Sequence, residues 1–465
     1  MIEIGGLRIS SSTLLLVTAD SVVIALGLTS ASAVRFFASS TAPEELWSSG
    51  NVTRFILVIL IWQIALYYNE LYDLATTSQR GVVLTRLLQA SATACLVMAG
   101  LYYAVPGLSL GRGVVGMAVP MIVCSLLSCR LLLRHAGHLV NRPRRVLVVG
   151  TGKAGISFVR EVLGRPELNL KVIGFLDETG ANVGKPLVNP GIIGAVNQVE
   201  EIALREKVDR VVLSFAERRG YTPLQQLLRL KLTGVCVEDA HTVYEKFTGR
   251  IPLDDLSPSW LILSNGFRKS ALLMAAKRVG DVTLSLIGLA LALPLMGMIA
   301  VAVWLETGSP VLFRQERVGL RGNPFNILKF RSMYQDAECN GPSWAALDDE
   351  RVTRVGRLIR KYRLDELPQL FNVLRGEMSL VGPRPERPHF CALLEDEIPL
   401  FVERQSVRPG ITGWAQIKFK YGSSSEEAKR KLEFDLFYIK NLSLFIDVAI
   451  VFETVKVMLS GRGAK

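Results

Sequence analysis

The chain has 465 residues, 49% of them hydrophobic, a mean hydropathy of +0.31 and a formal net charge of +12. That is too long and too apolar for one ordinary soluble domain, so two or three domains with part of the chain in membrane are expected. The charge suits an anionic partner, whether nucleic acid, a phospholipid surface or a phosphorylated substrate. Cys95, Cys124, Cys129, Cys236, Cys339 and Cys391 show no CxxC spacing and there are only four histidines, which argues against a usual zinc site and for reduced, structural cysteines.

Four apolar stretches come first, Thr13 to Phe37, Phe55 to Tyr68, Leu87 to Val105 and Val114 to Leu133. Three are long enough for a hydrocarbon core that needs about 20 residues; the second is short unless its flanks contribute. The N-terminus lacks a basic n-region and a small-residue cleavage site, so the first stretch reads as a retained anchor. A run of arginines follows, Arg130, Arg134, Arg142, Arg144 and Arg145. Positive charge marks the cytoplasmic side, and an even count of spans returns the N-terminus there too. Residues 1–141 are therefore expected to form a four-helix transmembrane region.

At "RRVLVVGTGKAG" an apolar strand opens into Gly150, Gly152 and Gly155, a spacing that lets backbone approach a pyrophosphate at a helix N-terminus. Asp177 follows at the distance of a ribose-binding carboxylate, and "DRVVLSF" keeps a βαβ rhythm. Residues 142–265 are read as a Rossmann-like α/β domain, with a bound nucleotide as one reading and tight-turn packing as the other. The stretch "VEDAHTVYEKFTGRIPLDDLSPSW" is read as the way out of it.

No residue from Val282 to Leu305 is charged. Length alone predicts a fifth span, but cations lie on both sides: Lys277 and Arg278 before, Arg314, Arg317, Arg321, Lys329 and Arg331 after. Pro294 deletes one helical hydrogen bond mid-segment and favours a bend. A re-entrant helix over 278–306, entering and leaving one leaflet, satisfies both facts, and a true span with a tolerated proline is the alternative.

Residues 266–465 then form a basic, mainly α domain. Arg314, Arg317, Lys329 and Arg331 stand near glycine turns, so cations and backbone N–H groups could converge on phosphate, or could form a solvated face against anionic lipid. "DELPQLFNVLRG" predicts a short helix with Asp365 near its N-cap and Gly376 at its C-terminal stop, the dipole favouring an ionised carboxylate. In "GPRP" two prolines fix φ around Arg384 and reduce the entropy lost when it grips an anion. The last apolar run, Leu442 to Leu459, is broken by Asp447, Glu453 and Lys456 and is read as interfacial or packed beneath the site.

"KFRSM" at 329–333, "RLDELPQLFNVLRGEMSLVGPRPE" at 363–386, "RPGITGWAQ" at 408–416 and "DLFYIKNLSLFID" at 435–447 together resemble the bacterial polyprenyl-phosphate phosphoglycosyl transferases of the monotopic superfamily. The preceding helices and glycine-rich domain resemble the long members that initiate exopolysaccharide or O-antigen synthesis, and "SPSWLILSNGF" is similar to the exosortase-associated branch. Leu293-Pro294 departs from compact members, which place serine before the breaking proline.

The resemblance implies transfer of a sugar-1-phosphate from a UDP-sugar to undecaprenyl phosphate with release of UMP, through an aspartyl-phosphosugar on Asp365. It implies Mg²⁺ held by Glu366 and Asp365, catalytic help from Lys329, and substrate contacts from Arg314, Arg317, Arg331, Arg384, Arg408 and Asp435. It further implies the cytoplasmic leaflet of the inner membrane, lipid contact, no nucleic acid and a homodimer. A membrane-anchored NAD-dependent nucleotide-sugar dehydratase is the rival enzyme, but no second glycine turn or Tyr-x-x-x-Lys pair occurs in the C-terminal half. A nucleotide-sensing membrane regulator is the non-enzyme rival, and it leaves the Asp-Glu, Gly-Pro-Arg-Pro and Arg-Pro-Gly motifs without a role.

Overall fold

The computed structural model describes residues 2–4, 7–9, 11–36, 49–72, 80–140, 143–215, 223–253, 264, 266, 267, 269–334, 349, 351–419 and 425–460. Cys339 and most of the "SPSWLILSNGF" stretch lie outside them. By contact density the chain forms two compact units, one centred on residues 8–145 and one holding most of the rest.

In the first unit, after the paired strands β1 (Ile2–Ile4) and β2 (Leu7–Ile9), come four long apolar helices: α1 (Ser11–Phe36), α2 (Ser49–Tyr68), α3 (Arg80–Ala104) and α4 (Arg112–Val140). All four are long and apolar enough to cross a membrane; α2 reaches that length by extending N-terminally past Phe55. Ile24, Leu28, Trp62, Leu87, Ala90, Ala94, Ile122 and Leu126 meet in a common core, while Leu26, Leu60, Leu96 and Leu132 stay exposed. A helix apolar all round suits packing on one side and lipid on the other. Arg130, grouped above with the cytoplasmic arginines, instead turns inward: it pairs with the fully buried Asp20 at 2.6 Å and lies over the Tyr72 ring. A charge in that setting needs its partner.

The second unit begins with a five-stranded sheet of β3 (Arg144–Val149), β4 (Leu170–Asp177), β5 (Ile192–Ala195), β6 (Arg210–Leu213) and β7 (Cys236–Asp239), ordered β5-β4-β3-β6-β7. The pairs β3–β6, β4–β5 and β6–β7 are parallel. Helices α5 (Lys153–Gly164), α6 (Val199–Arg205) and α7 (Leu224–Leu232) are its connections. Strands buried on both faces read as unbroken apolar runs, as Val146 to Val149 does. The stretch from Val237, read above as an exit, instead adds β7 and α8 (Ala240–Thr248), which Asp239 caps by accepting from the His241 N–H.

α8 ties the sheet domain to the C-terminal part of the chain. Glu245 accepts from Lys440 at 2.6 Å and from Asn441 at 3.1 Å, and the Trp414 indole N–H donates to Gly249 O at 2.8 Å. Arg250 spans Glu161 on α5 at 2.8 Å and Glu433 at 3.4 Å.

The third part opens with α9 (Ala271–Thr307), started by Ser270, which accepts from the Leu273 N–H, and ended by Gly308 at φ 73°. At 1.5 Å per residue it is about 55 Å long, and it runs through Pro294 without interruption. The hairpin β8 (Leu312–Val318) and β9 (Pro324–Phe330) follows, then α10 (Arg354–Lys361), α11 (Gln369–Arg375), β10 (Ser379–Val381), α12 (Pro388–Glu397), β11 (Gly410–Thr412), α13 (Trp414–Lys418), α14 (Ser425–Lys440) and α15 (Leu444–Ser460). Leu289, Met296, Ile299 and Val303 of α9 pack with Phe330, Ile359, Leu364, Leu367 and Leu370, while Leu284, Leu291, Met298 and Val301 face outward. α15 packs beneath β10 and β11 through Ile446 and Ile450 and leaves Leu444, Phe445 and Val448 exposed.

Candidate active site

The Asp-Glu pair does not sit at the N-cap of a regular helix. Arg363 adopts a left-handed conformation (φ 55°), and Leu364–Glu366 form a 3₁₀ turn before α11 begins at Gln369. Pro368 stands just before the first helical residue, where its missing N–H costs no intrahelical bond, and α11 runs from Gln369. Gly376, at φ 87°, ends α11 as the sequence predicts. The turn is anchored on β9 and α9 through Leu364, Leu367 and Leu370, and its two carboxylates are buried, each 9% exposed.

The two acids have different surroundings. Glu366 Oε1 accepts from the Arg384 guanidinium at 2.7 Å and lies 3.8 Å from Lys329 Nζ; its Oε2 has no protein partner among the described residues. Burial alone would raise the Glu366 pKa, but Arg384 and Lys329 outweigh it and hold the carboxyl well below the ordinary glutamate range. Asp365 makes no hydrogen bond or ion pair among the described residues. Burial and then the charge of Glu366 push it up to about 6, against the pull of Lys329, Arg384 and Arg360. Burial likewise lowers Lys329 to about 8 despite Glu366. One carboxylate is thus locked by cations while its neighbour is left with both oxygens unengaged.

Two backbone segments hold Arg384 over this pair. β10 and β11 pair in parallel, Ser379 opposite Gly410 and Val381 opposite Thr412, and so join the "GPRP" and "RPGITG" motifs. Their glycines interdigitate: a Cβ on Gly410 would stand 2.1 Å from Gly382 N, and one on Gly382 would stand 2.4 Å from Arg408 O. α9 fixes β10 from below, Lys277 donating to Val381 O at 3.0 Å and pairing with Asp447 at 2.7 Å, and Asp281 accepting from the Leu380 N–H at 3.1 Å.

The other cations named above are divided between the site and the scaffold. Arg317 donates to Pro385 O at 3.0 Å on the turn that carries Arg384, and burial lowers its pKa to about 10. Arg314 is exposed on β8 with no partner among the described residues. Arg331, expected near phosphate, is buried and donates to Thr307 O at 2.9 Å and Thr307 Oγ1 at 2.7 Å. It therefore satisfies the unpaired carbonyls at the end of α9. Arg408 donates through Nε to Gly376 O at 3.0 Å, doing the same for α11. Asp435 is 2% exposed and pairs with Arg404 at 2.9 Å. Sequence reasoning missed Arg360 and Arg404; each lies a few residues from a motif it did use, but nothing in the spacing singles it out.

A Mg²⁺ ion is commonly held by one or two carboxylates, with substrate oxygens and waters completing its shell. Asp365 and the free Oε2 of Glu366 fit that donor set. Among the described residues no group of three or more His, Cys, Asp or Glu side chains forms a closed metal cage.

The glycine turn of the sheet domain is held by hydrogen bonds within the protein. Gly150 has φ 96°, and a Cβ there would stand 2.3 Å from Ser214 O. The Gly155 N–H at the start of α5 donates to Ser214 Oγ at 2.7 Å, and Gly152 N–H to Ser214 O at 2.8 Å. Thr151 Oγ1 donates to Glu178 at 3.1 Å, and Asp177 is taken up by Thr179 at 3.0 Å and Asn182 at 3.1 Å.

Among the described residues, five helices long and apolar enough to cross a membrane suit a membrane-associated protein, and comparison with known proteins adds a transferase class. The family model described as bacterial sugar transferase matches residues 272–461, and one described as CoA-binding domain, a nucleotide-binding fold, matches residues 68–230. A UDP-glucose:undecaprenyl-phosphate glucose-1-phosphate transferase of Xanthomonas campestris pv. campestris is 32% identical over 380 residues, 77% of this chain and 76% of the relative. The protein of that description from Escherichia coli (strain K12) is 34% identical over 346 residues, 71% and 72% of the two chains. A UDP-N-acetylgalactosamine-undecaprenyl-phosphate N-acetylgalactosaminephosphotransferase of Aeromonas hydrophila is 44% identical over 239 residues, 51% of this chain but only 56% of the relative. The chain belongs to the bacterial sugar transferase family.

Proposed function

We propose that this protein transfers a sugar-1-phosphate from a UDP-sugar to undecaprenyl phosphate, releasing UMP, as the first step of exopolysaccharide or O-antigen assembly. The observation that carries it is the asymmetric carboxylate pair: Asp365 unengaged among the described residues, Glu366 held at 2.7 Å by Arg384. An Asp365 oxygen attacks the β-phosphorus, the bridging P–O bond breaks, and UMP leaves with its electrons. A phosphate oxygen of the lipid then attacks the same phosphorus, the P–O bond to Asp365 breaks, and the carboxylate is restored. Dividing the reaction keeps two anionic substrates from having to occupy the site together. Arg384, Lys329 and Arg317 offset the phosphate charge, with Arg314 at the exposed edge. Mg²⁺, when bound by Glu366 and Asp365, supplies further neutralisation of the diphosphate. Arg408 and Asp435 contribute through the scaffold, and the sheet domain, with Gly150, Gly152, Gly155 and Asp177, offers a nucleotide-binding fold.

The free-enzyme ionisations set a pH dependence. Asp365 must be ionised to attack, so activity falls as pH drops through about 6. Lys329 must be protonated to offset phosphate charge, so activity falls again as pH rises past about 8. The expected kcat/KM profile for UMP release is a bell between these limits; a rate that stays flat from pH 5 to 9 would contradict the assignment of both groups.

The membrane placement belongs to the same reading. α9 enters and leaves the cytoplasmic leaflet of the inner membrane, with the catalytic domain in the cytoplasm. Both of its ends bond to that one domain: Arg278 donates to Val373 O at 2.6 Å near the start, and Glu306 accepts from Arg354 N–H at 2.7 Å near the end. A straight span would have to place one of those contacts across the bilayer. With Ser309→Cys in intact cells, an impermeant maleimide should fail to label; external labelling would refute the re-entrant path. The resemblance also supports a homodimer, which mass photometry of the purified protein can test.

A further inference from the structure

We propose that Arg404 is a positioning residue of this transfer, acting on Glu366 through Arg384, with Asp435 as its counter-charge. The inference rests on the function proposed above. Arg384 stands between two prolines, which fix φ at 383 and 385, and as the residue before a proline it is itself biased to an extended ψ. Arg404 adds a hydrogen bond to the Arg384 carbonyl within that restricted turn. One terminal nitrogen of its guanidinium lies 2.8 Å from Arg384 O and 2.9 Å from Asp435 Oδ2. The other faces Glu386 at 4.0 Å, and the planar group lies over the Phe401 ring, 5.0 Å from its centroid.

Arg317 takes the next carbonyl, Pro385 O, at 3.0 Å and also faces Glu386, at 3.8 Å. Two guanidinium groups therefore grip consecutive carbonyls of one turn, and the Arg384 side chain leaving that turn meets Glu366 at 2.7 Å. Its planar fork suits Arg404 to a task in which several acceptors must be held in fixed directions.

Asp435 gains a role by the same geometry. Its side chain is 3% exposed and its carboxylate faces the half-buried Arg404, a setting in which an unpaired guanidinium would be costly. It keeps Arg404 charged and aimed, rather than meeting substrate directly. A group that holds another in productive geometry influences rate without touching the reacting atoms.

The test is a double-mutant cycle on the full-length chain in detergent, with undecaprenyl phosphate, Mg²⁺ and whichever UDP-sugar the wild type consumes. Arg404→Met is expected to lower kcat about 10- to 100-fold, and Arg404→Lys to restore part of that loss. In an Arg384→Ala background, Arg404→Met should cost less than about 3-fold, because the group it acts through is gone. An equal loss in both backgrounds would overturn the inference. If Arg404→Met does not fold, Asp435→Asn takes its place in the same cycle, with the same two readings. A wild-type protein that releases no UMP from any UDP-sugar defeats the proposed function itself; an active wild type with additive losses defeats only this inference.

Discussion

Asp365→Asn is expected to lower UMP release by about 10³-fold or more while leaving the fold intact. Asparagine matches the shape of aspartate but its amide oxygen is a poor nucleophile, so the covalent step is lost with little change in packing. The side chain makes no hydrogen bond among the described residues that the substitution would break, and Glu366 keeps its contacts with Arg384 and Lys329. Measured with UDP-glucose and UDP-N-acetylgalactosamine in parallel, wild-type protein should also retain radiolabelled sugar phosphate when lipid is withheld, and the variant should not. Full UMP release by Asp365→Asn would remove the nucleophile assignment.

Gly410→Ala is expected to be the most damaging single change to the scaffold. The new methyl would stand 2.1 Å from Gly382 N and 2.4 Å from Thr412 O, both backbone atoms with no side chain to swing aside. Relief requires β10 and β11 to separate, which breaks the pairing of Ser379 with Gly410 and Val381 with Thr412 and carries the Arg384 turn away from Glu366. Overpacking of this kind costs about 3 kcal/mol, or a melting temperature lower by roughly 6–12 °C in a unit of this size. Thermal unfolding and UMP release should fall together. Gly297→Ala, on α9 where a methyl meets nothing within 4 Å, is the control and should change neither.

Arginine placement marks the boundary between what sequence and structure each reveal. The run from Arg314 to Arg331 announces positive charge, yet Arg331 turns back to cap α9 and Arg408 caps α11. Arg404, which no motif singled out, faces the catalytic turn. A guanidinium has five donors and a long stem, so its partners depend on which carbonyls the fold leaves unpaired nearby. The Asp-Glu pair was legible as a helix start, but the fold places it on a separate 3₁₀ turn that follows Arg363 at φ 55° and precedes α11. The glycine turn of the sheet domain was legible as a strand-to-helix turn, whereas its filling by Ser214 and Glu178 depends on residues distant in the chain.

By itself the sequence determined the four apolar helices, the uncharged length of α9, the parallel sheet and the local turns at Gly150 and Gly376, because hydropathy, periodicity and backbone freedom act over a few neighbouring residues. Only the tertiary structure decided that Asp20 faces Arg130, that β10 lies against β11, and that Glu366 rather than Asp365 takes the cations. Those outcomes are set by close approach between segments separated by 18 to 110 positions, where steric exclusion and the burial of charge choose the partner.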